Sequence, residues 1–390
     1  MPVDIRTPET SADLDQLHRL LASGFALSLE HATRWAEWAG HEQLRVACEL
    51  DQVLGGLMQI PMAQAFGSRF VQMTGIAAVT VRADRRRDGI ATQMMGKVLA
   101  ELRDSNVPLS VLYANNQPLY RSVGYEQAGV HWRGVIRPHE IGVREPIAGT
   151  TTLAEPADLP LVEALYRDYA LSRPGHLDRI PFLWDRLRAE QEGAAATTAL
   201  LWDERGLLEA YVHTRQIRQG TQVRLRVEDA ASVTPRGWRR IWTHLTDIST
   251  LVEEIELATS PTDPLYVLLP DATMRLRVFE PWLVRVLRPV TALEARGYPN
   301  GQPERIAMRV IDPLLGDVAL TMDVEGGHAR VRRGGDPTAK VHIRGLSAIY
   351  TGHMSPYEAA SLGLVEAGDR TLAAMQALFA GPAPWMRDEF

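Results

Sequence analysis

The chain has 390 residues, 45% of them hydrophobic and 23% charged, and its 42 Lys and Arg against 48 Asp and Glu leave a formal net charge of -6. This length predicts two or three domains, and the composition is typical of a globular protein. The acidic balance argues against nucleic-acid binding, which requires a clustered basic excess. Cys48 is the single cysteine, so the sequence excludes an internal disulfide and a cysteine-based zinc site.

The sequence carries no pattern for export, membrane insertion or metal binding. Residues 1–5 lack the basic segment and apolar core of a signal peptide. No apolar run reaches the roughly 18 residues that span a bilayer. The 11 histidines form no HExxH or similar pair. We therefore expect a cytoplasmic protein with no metal and with neither nucleic acid nor membrane as a partner.

The first block, residues 1–145, predicts alternating helices and strands. Hydrophobic periodicity predicts helices over 10–22, 31–38 and 90–104 and strands over 45–50, 53–61, 75–81 and 109–113. The order strand, turn, helix, strand with both strands apolar favours α/β packing. The stretch 145–160, with Gly, Thr and three prolines, is interpreted as a linker.

Two further blocks follow. Residues 146–289 predict a helix over 159–169, strands over 207–214 and 223–227, and then a second strand–turn–helix, which indicates a tandem duplication of one fold. Residues 290–390 predict four short alternating strands, the last including Val341 and Ile343, that form an antiparallel sheet. Helices over 357–364 and 369–378 follow, so this block is expected to be α+β.

The turn after Val81 is the segment that best suits an anion. It reads Arg86-Arg87-Asp88-Gly89-Ile90-Ala91 and opens the predicted helix. Small residues let the backbone approach a ligand, and the free N–H groups of a helix start suit a pyrophosphate. The alternative is a solvated basic turn that caps the helix. GxxxxGK[ST] and GxGxxG patterns are absent, which disfavours nucleoside triphosphatase and dinucleotide sites.

The motif Arg86-x-x-Gly89-x-Ala91 between two apolar strands resembles the acyl-CoA signature of the GNAT acetyltransferases, and "ANNQPLYRSVGY" at 114–125 resembles their YxxxGF/Y segment. With "ALEARGY" at 292–298 and the ending Glu389-Phe390, the chain as a whole resembles the Eis (enhanced intracellular survival) family. The resemblance implies a mixed α/β and α+β fold. It implies a catalytic GNAT domain in 1–145, a degenerate GNAT-like domain in 146–289 and a sterol-carrier-protein-like domain in 290–390.

The same resemblance implies acetyl-CoA as cosubstrate and a homo-oligomer, a hexamer. The residues expected to bind acetyl-CoA are Val79, Thr80, Val81, Arg86, Arg87, Asp88, Gly89, Ile90, Ala91, Thr92, Asn115 and Asn116. In the second block the equivalent turn is "TPRGW" at 234–238, which has no second small residue and carries a bulky Trp238. This departure fits a degenerate domain.

The resemblance also assigns two catalytic groups. Tyr120 matches the family's general acid, since a phenol with a pKa near 10 is protonated at neutral pH; the alternative is a buried aromatic. Tyr125 is expected to pack in the core. The α-carboxylate of Phe390 matches the family's unusual general base, although an ordinary chain end is frayed and solvated.

The amine acceptor is less defined. Trp35 and Glu389 are expected to contact it, although Trp35 and Trp38 also stand at the spacing of a helix core. Residues 24–30 contain no aspartate where aminoglycoside-acetylating members have an acidic contact, and Glu30 is a possible substitute. An aminoglycoside-like compound, a polyamine and lysine remain open. The alternative function is a scaffold that binds a lipid or apolar ligand and carries an inactive acetyltransferase domain.

Overall fold

A computed structural model describes residues 3–146, 148–189, 194, 196–301 and 303–390. The helices are α1 (Ser11–Phe25), α2 (Leu29–Ala39), α3 (Ile90–Asp104), α4 (Gln117–Ser122), α5 (Leu159–Leu171), α6 (Pro181–Arg188), α7 (Pro235–Asp247), α8 (Pro264–Val267), α9 (Pro289–Ala295), α10 (Ile343–Thr351), α11 (Pro356–Ser361) and α12 (Asp369–Phe379). None of these helices is both long and apolar enough to cross a membrane.

The strands are β1 (Asp4–Arg6), β2 (Leu44–Glu49), β3 (Gln52–Phe66), β4 (Arg69–Val81), β5 (Leu109–Tyr113), β6 (Glu126–Ile136), β7 (Thr150–Leu153), β8 (Leu177–Asp178), β9 (Ala196–Trp202), β10 (Leu208–Gln219), β11 (Gln222–Ser232), β12 (Glu254–Thr259), β13 (Arg275–Val286), β14 (Glu304–Ile311), β15 (Val318–Glu325), β16 (His328–Arg333), β17 (Ala339–His342) and β18 (Val365–Ala367). The chain forms two compact units: unit 1 contains Met1–Gly129, Pro281–Gly381 and Glu389–Phe390, and unit 2 contains Val130–Glu280 and Pro382–Asp388.

The elements predicted for the first block are confirmed. Thr10 and Asp13 form a reciprocal capping box, in which each side chain accepts from the other's backbone N–H, and this starts α1. α3 and β5 have the predicted bounds. β4 begins earlier than predicted because Arg69 pairs with Phe66, so that β3 and β4 form one long antiparallel hairpin.

The main sheet of unit 1 has the order β1-β2-β3-β4-β5, followed by the end of β13. Trp282–Val286 pairs antiparallel with β5, although the sequence assigned these residues to the second block. Met94, Met95, Val98 and Leu99 of α3 are fully buried over the sheet in one cluster with Leu54, Leu57 and Leu112. Burying each such side chain contributes about 1.5–3 kcal/mol, which holds α3 against the sheet.

The second sheet of unit 1 has the order β16-β15-β14-β17-β18. The prediction of a four-stranded antiparallel sheet is wrong here, because β17 pairs parallel with β14 and a fifth strand, β18, follows. Ile343 begins α10 and does not extend the strand, since the His342 side chain accepts from the Arg344 N–H at 3.2 Å and caps the helix. The alternation of apolar and polar residues identifies which face of a strand is buried, but it does not identify the strand that pairs with it.

Unit 2 repeats the order strand, turn, helix in β11 and α7, as the sequence predicted. Its sheet has the order β6-β12-β11-β10-β9-β7, where β6 contributes its part from Val130 onward. The stretch 145–160, interpreted as a linker, contains β7, which pairs antiparallel with β9. Residue 147, within that stretch, lies outside the described residues.

A buried charge cluster ties the segment Pro382–Asp388 into unit 2. Asp229 is 1% exposed and accepts from Arg179, Arg387 and the Tyr211 hydroxyl. Burial alone raises the pKa of Asp229, but its two arginines outweigh burial and lower it below its usual range. Asp388 accepts from Arg179 Nε at 2.8 Å. The residues just before the chain end are therefore held by ion pairs rather than frayed.

We expect Asp229→Asn to lower the melting temperature by about 10 °C, because the buried Arg387 loses its ion-pair partner and the buried Arg179 keeps only Asp388. A thermal scan followed by circular dichroism measures this. Asp247→Asn is the matched control: Asp247 pairs with Arg144 at the surface of unit 2, so its loss should cost no more than about 2 °C. Equal shifts for the two variants would contradict the structural importance of the cluster.

The same cluster should make the wild-type protein sensitive to acid. A lowered native pKa stabilises the fold at pH values above the unfolded pKa, and this stabilisation disappears as Asp229 becomes protonated. We expect the difference in melting temperature between wild type and Asp229→Asn to be full at pH 7 and to shrink below about pH 4. A difference that stays constant down to pH 3 would contradict this assignment.

Candidate active site

Strands β4 and β5 separate part-way along their length. They pair in parallel over only three residues, and the last pair is Gly75 with Val111. The pairing of β3 with β4 shifts register between Gly56 and Met58, and Ala78 opposite this shift has a φ of 57°. A bulge of this kind bends the strand that carries it. We call the space between β4 and β5 beyond Gly75 and Val111 the β4–β5 wedge.

The last residue of the chain lies at the narrow end of this wedge. A Cβ atom on Gly75 would be 2.5 Å from Cε2 of Phe390 and 2.8 Å from Cε of Met62, so only glycine leaves room for the ring. The Phe390 ring also lies 5.8 Å from the ring of Tyr113, centroid to centroid. Phe390 is 9% exposed. The Phe390 ring is therefore a buried anchor in unit 1.

The turn after β4 leads into α3 as the motif predicted. Gly89 is the N-cap with a φ of 78°, and no side chain caps the helix. Because the first N–H groups of a helix have no intrahelical partner, this end can bind an anion. Arg86 and Arg87 are exposed, and neither guanidinium pairs with any residue that the structure describes. These two arginines remain available to phosphate oxygens.

Arg85, which the sequence analysis did not single out, organises this turn. Its guanidinium donates to Asp88 at 2.8 Å and to Glu49 at 2.7 Å. Asp88, predicted to contact acetyl-CoA, is thus engaged inside the turn. Three consecutive arginines were a visible signal, but their spacing does not say which one faces inward.

The other predicted contacts lie along the wedge and its rim. Thr80 is 7% exposed, and its Oγ1 would be 2.5 Å from a Cβ on Gly24, so its side chain faces α1 and leaves only its backbone for a ligand. Val79 and Val81 are half-buried, Ile90 is buried in the core, and Ala91 and Thr92 lie in the first turn of α3. Asn115 and Asn116 are exposed between β5 and α4.

Tyr120 and Tyr125 differ in how their hydroxyl groups are satisfied. Tyr125 is fully buried with its hydroxyl 2.6 Å from Ser110 Oγ, which confirms the expected core position. Tyr120 is 7% exposed and packs edge-on against Tyr125, with centroids 6.0 Å apart. Its hydroxyl has no hydrogen-bond partner within the described part of the chain. Burial raises the pKa of Tyr120 to about 12, so its proton is retained.

The residues expected at the acceptor are spread over two parts of unit 1. Trp35 is half-buried and packs edge-on against Phe25 at 5.6 Å. Trp38 is 42% exposed, so the two tryptophans do not form a helix core together. Glu30 is paired with Arg34 at 2.8 Å and is not a free carboxylate. Glu389 is half-buried. Among the described residues, no three His, Cys, Asp or Glu side chains form a metal site.

Three family models match successive stretches of the chain. The description "Acetyltransferase (GNAT) domain" belongs to the models that match residues 4–128 and 175–286, and "Sterol carrier protein domain" to the one that matches 289–387. These matches agree with an acetyltransferase-type fold for the wedge-bearing sheet and for the repeated sheet of unit 2.

Proteins with similar sequences and structures carry acetyltransferase names. An uncharacterized N-acetyltransferase of Streptomyces avermitilis is 28% identical over 349 residues, which are 83% of this chain and 83% of that protein. N-acetyltransferase Eis of Mycobacterium bovis is 28% identical over 322 residues, 77% of this chain and 78% of that protein. The crystal structure of a GCN5-related N-acetyltransferase from Anabaena variabilis superposes with a TM-score of 0.94 at 29% identity and covers 100% of both chains. The chain is therefore an N-acetyltransferase with two GNAT domains and a sterol carrier protein domain, and it is similar to the Eis N-acetyltransferases over most of its length.

Proposed function

We propose that this enzyme transfers the acetyl group of acetyl-CoA directly to a primary amine, with Tyr120 as general acid and the α-carboxylate of Phe390 as general base. The acceptor class is a cationic small molecule, aminoglycoside-like or polyamine, or a lysine side chain. One observation carries the proposal: the terminal ring lies on Gly75, where β4 and β5 separate. A chain end held there by its side chain, rather than frayed, is suited to a chemical role.

The wedge and the turn beside it fit acetyl-CoA, which supplies the acetyl thioester when bound. Residues 76–81 of β4 no longer pair with β5, which leaves backbone groups on that side for the cosubstrate. Arg86 and Arg87, next to the uncapped start of α3, supply the positive charge that a pyrophosphate needs. Gly89 has no side chain to block this approach.

The two catalytic groups divide the proton transfers. The Phe390 carboxylate accepts a proton from the ammonium, so that the neutral nitrogen can form its bond to the acetyl carbon. The carbon–sulfur bond breaks in the same transfer, and the Tyr120 phenol gives its proton to the leaving thiolate. The second proton that the nitrogen loses as it becomes an amide restores the Tyr120 phenol, so the proton on the Phe390 carboxyl is the one released overall. A pKa near 12 keeps that phenol protonated at neutral pH. No redox partner is required.

The residues proposed to contact the acceptor support an amine substrate, but they do not distinguish one amine from another. The half-buried Trp35 is the aromatic side chain proposed to contact a cation or a sugar ring of the acceptor. Glu389, next to the proposed base, would add negative charge near the incoming ammonium. Glu30 pairs with Arg34 at the surface, so an ammonium group of the acceptor would have to compete with this ion pair to contact Glu30. A panel of aminoglycosides, polyamines and lysine peptides, followed by thiol release, identifies the class.

The lipid-binding alternative rests on the sterol carrier protein match alone. Ile306, Met308 and Leu320 of that domain's sheet are at most 1% exposed. Helices α10 and α12 pack on β14, so the alternation of apolar and polar residues in these strands is explained by the domain's own core.

The family resemblance also supports a cytoplasmic homo-hexamer, and light scattering of the purified protein measures the oligomeric state.

We expect Tyr120→Phe to lower kcat by about 100-fold or more, because a positioned general acid contributes about 10²–10⁴ in rate. The Kd of acetyl-CoA, measured by calorimetry, should stay within about twofold, since the ring is kept. Tyr125→Phe is the matched control. It removes a hydroxyl bonded to Ser110 and should lower stability by about 1 kcal/mol while kcat changes little. A larger loss of kcat in Tyr125→Phe would reverse the assignment.

Extending the chain by two residues beyond Phe390 should reduce turnover by at least about 100-fold, because the carboxylate moves away from its anchored position. Phe390→Leu keeps both an apolar side chain and the terminal carboxylate, and it should retain most of the activity. Acetyl-CoA binding by calorimetry should be unchanged in both variants. Full activity of the extended chain would remove Phe390 as the base.

We expect the double variant Arg86→Ala, Arg87→Ala to raise the KM for acetyl-CoA by about 10-fold or more and to change kcat little. Each lost charge-assisted contact with a phosphate costs about 1.5–3 kcal/mol, and less where solvent screens the charges. The increase should diminish at high salt. Lys97→Ala, an exposed cation further along α3, is the control and should leave the KM unchanged. An unchanged KM in the double variant would favour the solvated-turn interpretation.

A further inference from the structure

A buried carboxylate lies directly after the segment that carries Tyr120. Glu126 is 3% exposed, and each of its two carboxylate oxygens accepts from a different arginine, all within unit 1. Arg121 donates through Nε to Glu126 Oε1 at 2.9 Å. Arg344 donates to Oε2 from Nε at 2.9 Å and from Nη2 at 2.6 Å. Planar, two-donor contacts of this kind restrain orientation as well as distance.

Arg121 is the neighbour of Tyr120 on α4, which has only six residues. A helix this short is not stable alone, so tertiary contacts decide where its side chains point. The turn that follows α4 is also constrained: Gly124 has a φ of 91°, and a Cβ there would lie 2.6 Å from Cζ of Arg285. The ion pair of Arg121 with Glu126 is therefore a direct restraint on the helix that presents the phenol.

Arg344, the second partner of Glu126, belongs to the sterol carrier protein domain. It lies in the first turn of α10, which is itself fixed in place. The Ser347 hydroxyl accepts from the Val286 N–H at 3.1 Å, and the Thr351 hydroxyl donates to the Ala128 carbonyl at 2.9 Å. α10 thus presents Arg344 from a rigid support.

Arg344 is one of the two cations that neutralise the buried carboxylate of Glu126. Burial alone raises the pKa of Glu126, but the two arginines and the Gln127 N–H lower it, so the group is ionised at neutral pH. A buried carboxylate that loses one of its two cations either moves closer to the remaining cation or changes its side-chain conformation. Removing Arg344 therefore changes the geometry between Glu126 and Arg121, next to Tyr120.

We infer that Arg344 is a positioning residue for acetyl transfer, which acts through Glu126 and Arg121 to orient the Tyr120 phenol toward the leaving sulfur. The inference rests on the proposed role of Tyr120 as general acid. It assigns the sterol carrier protein domain a part in catalysis that requires no lipid ligand.

A double-mutant cycle on the full-length enzyme tests this inference. Arg344→Met is combined with wild-type Tyr120 and with Tyr120→Phe, and kcat, the KM for acetyl-CoA and the melting temperature are measured for all four proteins. We expect Arg344→Met alone to lower kcat about 10-fold, since small misplacements of a catalytic group are costly, with the KM within about twofold. In the Tyr120→Phe background it should cause no further loss, because the two changes act on one step.

Two matched variants keep the test interpretable. Arg344→Lys keeps the buried charge balance and serves as the second variant if Arg344→Met does not fold. It should retain more of the wild-type kcat than Arg344→Met and show the same non-additivity. Arg309→Met removes an exposed arginine of the same domain, paired with Asp317 at 3.0 Å, and should leave kcat unchanged.

The inference is overturned if both Arg344 variants keep wild-type kcat, if their losses multiply with that of Tyr120→Phe, or if Arg309→Met matches Arg344→Met. Those outcomes leave the proposed function intact as long as Tyr120→Phe alone lowers kcat. A wild-type kcat in Tyr120→Phe would remove both the acid and the inference built on it.

Discussion

The separation of β4 from β5 is the feature on which the candidate site depends. Parallel pairing ends at Gly75 and Val111, and a register shift against β3 with Ala78 in the left-handed region bends β4 at this level. A continuous ladder would satisfy these backbone groups within the sheet and leave nothing for a ligand. The same separation makes room for the Phe390 ring over Gly75. One backbone irregularity thus creates both the wedge and the seat of the chain end.

Buried ion pairs hold the segments that hydrophobic packing alone leaves loose. In unit 2, Asp229 joins Arg179 and Arg387 and so retains the segment before the chain end. In unit 1, Arg285 pairs with both oxygens of Asp312 at 2.8 Å. Such groups often contribute little net stability compared with apolar residues, but an unpaired partner is costly. Alternative arrangements of these short segments are therefore disfavoured, which suits parts of the chain that must be placed accurately.

Much of the fold was predictable from the sequence because its signals are local. The capping residue Thr10 and the apolar periodicity of α3 identify those helices without knowledge of their neighbours. The pairing of the strands was harder to predict from the sequence. The pattern of β17 is the same whether it joins the sheet parallel or antiparallel, and the structure places it parallel to β14. Likewise, nothing in the pattern of residues 282–286 indicates that they complete the sheet beside β5.

The sequence by itself determined the kind of enzyme, and it predicted the candidate phosphate-binding turn from Arg86 to Ala91 and the candidate groups Tyr120 and Phe390, because motifs of this type depend on residue identity at fixed spacing. Only the tertiary structure decided that the Phe390 ring lies against Gly75 at the wedge. It also decided that Asp88 is held by Arg85 and that Glu126 stands between Arg121 and Arg344. Arg344 and Glu126 are more than 200 positions apart in the chain, and no local pattern connects charges whose partners are chosen by packing.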